Sequence, residues 1–275
     1  MRVHSMLILV LLSALASGCA NLHVPEADNS NGSKAEKAAD AGDKSKGLIL
    51  LAKDIEAHGE KDTAIKLYQQ TVTLSGDAPD ANVRLGDAYL RARQIKPAMD
   101  AYRAALIKDP DNNDALLGLG AALVQSGSLD EGLADLAKSA PRVDTGAAYN
   151  RLGVAQMMAG QFVNAQGSFE KGRALAPDDL DIATNLALAT ALAGEADNAA
   201  ALAHEIAQSP SAEERHRRNL VLVLGLIGRS RDEARAVAPP GLSQHDIAVL
   251  LKHAEAIRDM NDPKARAKAL GMMRG

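Results

Sequence analysis

The chain has no tryptophan, two phenylalanines and four tyrosines, so aromatics make up only 2% of its 275 residues. Alanine and leucine dominate, β-branched residues are scattered, and this composition favours helices. There is a single cysteine, Cys19, which excludes an intramolecular disulfide. Positive charge is not in excess. Lys and Arg number 31 against 35 Asp and Glu, for a net charge of −4, where a nucleic-acid partner would favour a basic patch. No apolar run is long enough to span a bilayer as a helix, which takes about 20 residues.

The longest apolar run is Met6 to Leu12, after Arg2 and ahead of the small residues that lead into Cys19. This order reads as a secretory leader with a cleavage site. Leu15-Ala16-Ser17-Gly18-Cys19 resembles the lipobox of bacterial lipoproteins, with Ala16 where Leu is more usual. The resemblance implies a thioether-linked diacylglycerol on Cys19, cleavage of residues 1–18 and acylation of the new amine. Two or three acyl chains anchor stably where one does not. Ala20 stands where Asp would retain many such proteins at the inner membrane, so the expected address is the periplasmic face of the outer membrane. Loss of Arg2 with the leader takes the net charge from −4 to −5.

Residues 19–44 are polar and rich in Asn, Ser, Gly, Ala and charge. Such a segment buries too little apolar area to offset chain entropy, so a flexible tether is expected. At about 25 residues it would average roughly 25–30 Å end to end.

Beyond the tether the chain repeats. The pattern of Leu85-Gly86, Tyr89, Ala98, Tyr102, Ala105 and Pro110 recurs 67 positions on as Leu152-Gly153, then Gly160, Ala165, Phe169, Gly172 and Pro177. Midway lie Leu119-Gly120, Leu123, Gly127, Gly132 and Leu136, and upstream by 34 lie Leu51-Ala52, Ile55, Gly59, Ala64 and Tyr68. Downstream the pattern continues through Leu186-Ala187, Gly194 and Ala199 to Leu220-Val221, Leu224, Gly228 and Ala234. A fixed period of this size marks stacked supersecondary units. The pattern over roughly residues 45–240 resembles the tetratricopeptide repeat (TPR), in which each unit is two antiparallel helices.

The expected architecture is an all-α TPR solenoid of about six helix-turn-helix repeats with a C-terminal capping helix. The units are 45–78, 79–112, 113–145, 146–179, 180–213 and 214–240. Gly86, Gly120 and Gly153 sit mid-helix, where Gly costs about 1 kcal/mol against Ala, so close helix approach is expected there; by register Gly153 faces Ala165. Tyr68, Tyr102 and Phe169 fill the gap to the next unit. The second helix of the sixth unit is cut short at Pro239-Pro240. A further helix starts at Ser243, with Asp246 completing a capping box, and its stripe of Ile247, Leu250, Leu251, Ala254 and Ile257 suits a cap over 243–260. Residues 261–275 are expected to fray, and 241–275 together form the cap and tail.

No catalytic constellation is visible, and no cofactor, metal or small-molecule substrate is expected. His58, His204, His216, His245 and His253, with His23 in the tether, lack metal-ligand spacing and read as exposed helix histidines. Arg215-His216-Arg217-Arg218 reads as a solvated helix start, with a salt-bridge role between repeats open. No Gly-rich phosphate loop or Gly-x-Ser-x-Gly elbow is present.

The TPR resemblance implies a concave groove lined by set positions of each first helix. In this chain the partner-binding candidates are Val83, Asp87, Leu90, Leu117, Val124, Asn150, Val154, Met157, Met158 and Leu188. An apolar strip rimmed by Asp would mark an interaction site, and methionine suits an adaptable one. Asn150 would hydrogen-bond a partner backbone. The alternative is that these residues pack against neighbouring first helices. The carboxylate clamp of chaperone cofactors is not expected, since Ile49, Lys53, Asp114 and Gly118 stand at its positions.

The last repeats carry Arg217-x-Asn219-Leu220-x-Leu222-x-x-Gly225-x-x-Gly228-Arg229 and Glu233-Ala234. This resembles the closing repeat of TadD-type lipoproteins of the tight adherence (Tad/Flp) pilus system. The resemblance implies a lipid-anchored adaptor that helps an outer-membrane secretin to assemble or localise. A type IV pilus pilotin and a scaffold for peptidoglycan or outer-membrane biogenesis proteins stay open as alternatives.

Overall fold

The computed structural model describes the backbone of residues 30–272 and the side chains of residues 42–271. Cys19 and the leader lie outside the described residues. Residues 1–40 and 41–275 form separate units. Every described element is a helix, and they follow one another in pairs: α1 (Ser30–Ala57) and α2 (Lys61–Leu74), α3 (Pro79–Arg91) and α4 (Ile95–Lys108), α5 (Asn113–Ser126) and α6 (Leu129–Val143), α7 (Gly146–Met158) and α8 (Phe162–Leu175), α9 (Leu180–Ala193) and α10 (Ala196–Gln208), α11 (Glu214–Leu226) and α12 (Arg231–Val237), α13 (Gln244–Arg258) and α14 (Pro263–Met272). The chain is an all-α TPR-like solenoid of about seven such units.

Helix starts follow from local chemistry. Asn112, Thr145, Asp179, Ser230 and Ser243 each accept a backbone N–H from the first turn of α5, α7, α9, α12 and α13, which satisfies donors that have no partner within the helix. Helices α5 and α9 end at Gly127 and Gly194, with φ of +95° and +93°, a left-handed conformation that favours glycine. From α3 to α13 each first helix packs on the next first helix, and each second helix up to α10 packs on the first helix that follows it. The first helices therefore form the inner layer.

The core is set by six position pairs sixteen residues apart: Ala52 with Tyr68, Gly86 with Tyr102, Gly120 with Leu136, Gly153 with Phe169, Ala187 with Ala203, and Val221 with Val237. The second member of every pair is fully or almost fully buried. In the first four pairs a ring or Leu stands opposite Gly or Ala, a large residue against a small one, as close packing favours, while the last two pair Ala with Ala and Val with Val. This corrects the expected facing of Gly153 and Ala165. The three atoms nearest to a Cβ on Gly153 would all belong to the Phe169 ring, the closest at 2.6 Å.

Two terminal segments differ from expectation. Residues 30–44, expected within the flexible tether, are helical, and α1 runs on without a break into the first repeat. Their Ala, Lys and Glu have good helix propensity, and propagation from a helix already nucleated avoids the cost of a new start. The rest of the tether lies outside the described residues. Residues 263–272, expected to fray, form α14. Pro263 sits at its first position, and the Asp262 carboxylate accepts the N–H groups of Lys264 at 3.2 Å and Ala265 at 3.0 Å.

Candidate functional site: the inner face

The inner face has two regions of different character. The first spans α3, α5 and α7. Asp80, Val83, Arg84, Asp87, Asp114, Leu117 and Arg151 line an open cavity of about 270 Å³. Asp87 is held from two sides. It accepts the Tyr102 hydroxyl at 2.7 Å and lies 3.9 Å from the Arg151 guanidinium. Burial, reinforced by the Asp87 charge, pushes the Tyr102 phenol far above its usual pKa, so it stays a donor. At the N-terminal edge Arg91 clasps Glu56, donating from Nε at 2.5 Å and from Nη2 at 2.9 Å, which joins α3 to α1.

The second region is apolar and lies where α7 and α9 end. Helix α14 leaves the repeat path and packs back against α7. Ala267 and Leu270 are buried in the same cluster as Met157, Phe162, Leu188 and Leu192. The Arg266 guanidinium lies 5.5 Å from the centroid of the Phe162 ring and donates to the Leu192 carbonyl at 3.3 Å. That carbonyl is in the last turn of α9, where helix carbonyls lack internal partners and favour cations. Burial alone lowers the Arg266 pKa. A Cβ on Gly160 would sit 2.8 Å from the Pro263 backbone, so α14 approaches a position with no side chain.

The ten residues read as groove positions divide accordingly. Val83, Leu90 and Val154 are half-buried, packed against the core clusters. Asp87 is engaged by Tyr102 and Arg151. Leu117 and Val124 pack with Leu136, Ala140 and Leu152, while Met157 and Leu188 belong to the cluster that α14 joins. These four are buried, which corrects the expectation that they form an open strip: adjacent first helices approach closely enough to enclose them. Asn150 accepts from the Asn185 side chain at 3.0 Å. Met158 is 47% exposed and is the one exposed apolar residue of the ten, the others being half-buried or buried.

His216 also departs from its reading as exposed. It is buried. Its Nδ1 accepts the Glu213 N–H at 3.0 Å, which leaves the ring proton on Nε2, 3.0 Å from the Asp181 carboxylate. Arg215 pairs with Asp181 as well and with Glu213 at 2.8 Å. The basic run thus bolts α11 to α9. Among the described residues no group of three or more His, Cys, Asp or Glu is placed to hold a metal. A larger cleft, about 640 Å³, lies on the outer layer between α8 and α10 with Leu186 and Thr190 of α9 among its lining, and Arg173 and Glu205 pair within it.

Sequence reasoning missed Phe162, Arg266, Ala267 and Leu270. The signal for α14 was present: Asp262-Pro263 is an N-cap residue followed by proline at the first helical position. Nothing local indicated where that helix would dock.

The tetratricopeptide repeat family matches residues 49–112 and 84–148. Cellulose synthase operon protein C of Xanthomonas axonopodis pv. citri is 34% identical over 160 residues, which are 55% of this chain and 10% of that protein. The chain thus spans only about a tenth of the length of that relative. Among solved structures, PilF of Pseudomonas aeruginosa superposes with a TM-score of 0.58 at 19% identity, over 72% of this chain and 90% of that one. The TPR protein TTC0263 of Thermus thermophilus superposes with a TM-score of 0.55 at 21% identity, over 66% and 98%. The chain is a TPR-like solenoid that resembles these proteins in fold.

Proposed function

We propose that the protein is a lipid-anchored adaptor whose inner face grips a segment of a protein partner, for the assembly or localisation of a Tad/Flp pilus secretin. The observation that carries the binding reading is the open cavity across α3, α5 and α7. Half-buried Val83 and the edge of the largely buried Leu117 line it together with Asp80, Asp114, Arg84 and Arg151, a mixture that suits an extended or helical polypeptide with both apolar and charged side chains. Recognition of that kind rests on apolar anchors with polar contacts around them. The anchor reading rests on the leader and Cys19, and the secretin reading on the closing-repeat resemblance from Arg217 to Ala234.

The test compares secretin multimer in the outer membrane between wild type, a deletion strain and the double variant Asp114→Lys, Met158→Asp. Both positions are accessible, so the array is expected to stay folded, whereas Met157→Asp would disturb the core. The double variant is expected to lower partner affinity several-fold to a hundred-fold, about 1–3 kcal/mol, and to reduce the multimer. Normal assembly in the variant with failure in the deletion moves the site off the inner face. Normal secretin and pili in the deletion overturn the Tad reading and favour the pilotin or envelope-scaffold alternatives.

A further inference from the structure

We propose that α14 is a displaceable occupant of its own solenoid, and that the seat beneath it is a second docking site for a partner's short amphipathic helix. This inference rests on the reading that the inner face receives a partner segment. The seat has three components of distinct chemistry. Gly160 lets a helix backbone come into contact, since a Cβ there would collide with Pro263. The Phe162 ring offers its face to a guanidinium, and the Leu192 carbonyl offers an acceptor at the end of α9. Ala267 and Leu270 then close the apolar contact. The matching ligand is a helix that carries arginine, a small apolar residue directly after it, and leucine three positions further on.

The hold on α14 is weak for physical reasons. Arg266 is packed against a ring, its Nε has no hydrogen-bond partner, and no carboxylate among the described residues pairs with it. A half-buried cation left without a counter-charge opposes in part the contact that covers it. A helix of ten residues is too short to be stable by itself in water, so α14 unfolds once it leaves. Its departure leaves the solenoid closed, because α13 already caps α11: Ala254 packs where a Cβ on Gly225 would be, and Ile247 and Ile257 are buried in the same cluster. A partner helix with a carboxylate positioned to meet its own arginine would outcompete α14 on the same seat.

The experiment uses the full chain and, as probe, a fluorescein-labelled synthetic peptide of residues 261–275. Three substitutions in the tail leave the seat intact. Leu270→Asp removes the apolar contact and Asp262→Ala removes the N-cap; both are expected to undock α14. Arg266→Leu removes the unpaired cation and is expected to lock it. Hydrogen exchange of residues 263–272 reads docking, and peptide anisotropy reads the vacant seat. Relative to wild type, both undocking variants are expected to lose α14 protection and to bind the peptide at least tenfold tighter, with unchanged circular dichroism of the repeats. Arg266→Leu is expected to raise protection and weaken peptide binding about tenfold. Gly160→Ala added to Leu270→Asp is expected to abolish binding. The proposal is overturned if α14 is unprotected in wild type, if an undocked chain fails to take the peptide, or if Arg266→Leu lowers protection. No secretin takes part, so peptide binding by a chain with no effect on secretin assembly overturns the proposed partner and leaves the seat standing.

Discussion

At Gly118 and Gly86 the absence of a side chain is what makes room for Tyr102, whose ring would collide with a Cβ at either position. Each glycine lies inside a helix, where it costs about 1 kcal/mol against alanine; the ring buried between them offsets that. Gly167 in α8 presents the opposite case, since nothing lies within 4 Å of where its Cβ would be. Gly118→Ala is therefore expected to lower stability by about 1–3 kcal/mol through overpacking. Gly167→Ala is expected to raise it by roughly 0.5–1 kcal/mol. Urea unfolding of both variants checks the pair, and shifts of the same sign would show that the packing around Tyr102 is misread. The need for glycine at 86, 120 and 153 was legible because it recurs at the repeat period. Gly118 falls outside that register, and only the fold brings it against a ring sixteen residues upstream.

Between elements, Tyr102 does more than fill volume. Its ring, carried by α4, is wedged against α3 and α5, and its hydroxyl donates to Asp87. Burial first, then the Asp87 charge, raise its pKa in the folded state. A raised pKa means that the folded state holds the proton more tightly than the unfolded one. This contribution is fully present below the unfolded phenol value near pH 10 and is lost as pH rises above it. Tyr102→Phe is expected to cost about 1–2 kcal/mol at pH 7, since Asp87 keeps partial access to water. It should also flatten the alkaline loss of stability. Denaturation midpoints of wild type and variant between pH 7 and about pH 11 test this; parallel profiles would remove Tyr102 as a titrating contributor. The same scale shows why His216 was misread. Its helix-start position suggested solvent, but Asp181 thirty-five residues earlier supplies a partner that local pattern cannot reveal.

For the whole molecule, the proposed interaction surface lies on one layer of the solenoid, and the proposed anchor lies outside the described residues. Cys19→Ala is expected to abolish lipidation and shift the protein from the membrane fraction to a soluble or uncleaved form, measured by intact mass and membrane fractionation. An unmodified mature protein in the periplasm of the wild type would sink the anchor reading. By itself, the sequence determined the helical class, the repeat period, the turns at Gly127 and Gly194, the shortened α12 and the cap that begins at Ser243. All of these follow from short-range physics: side-chain periodicity, backbone conformations open to glycine, and capping groups within one turn of their targets. Only the tertiary structure decided which groove residues stay accessible, so that Met158 is exposed while Met157, Leu117, Val124 and Leu188 are enclosed. It also decided that α14 returns to α7 across about a hundred residues of chain. The free energy of such contacts depends on which surfaces meet after the repeats have stacked, and residues far apart in the chain carry no mutual signal of that meeting in a single sequence.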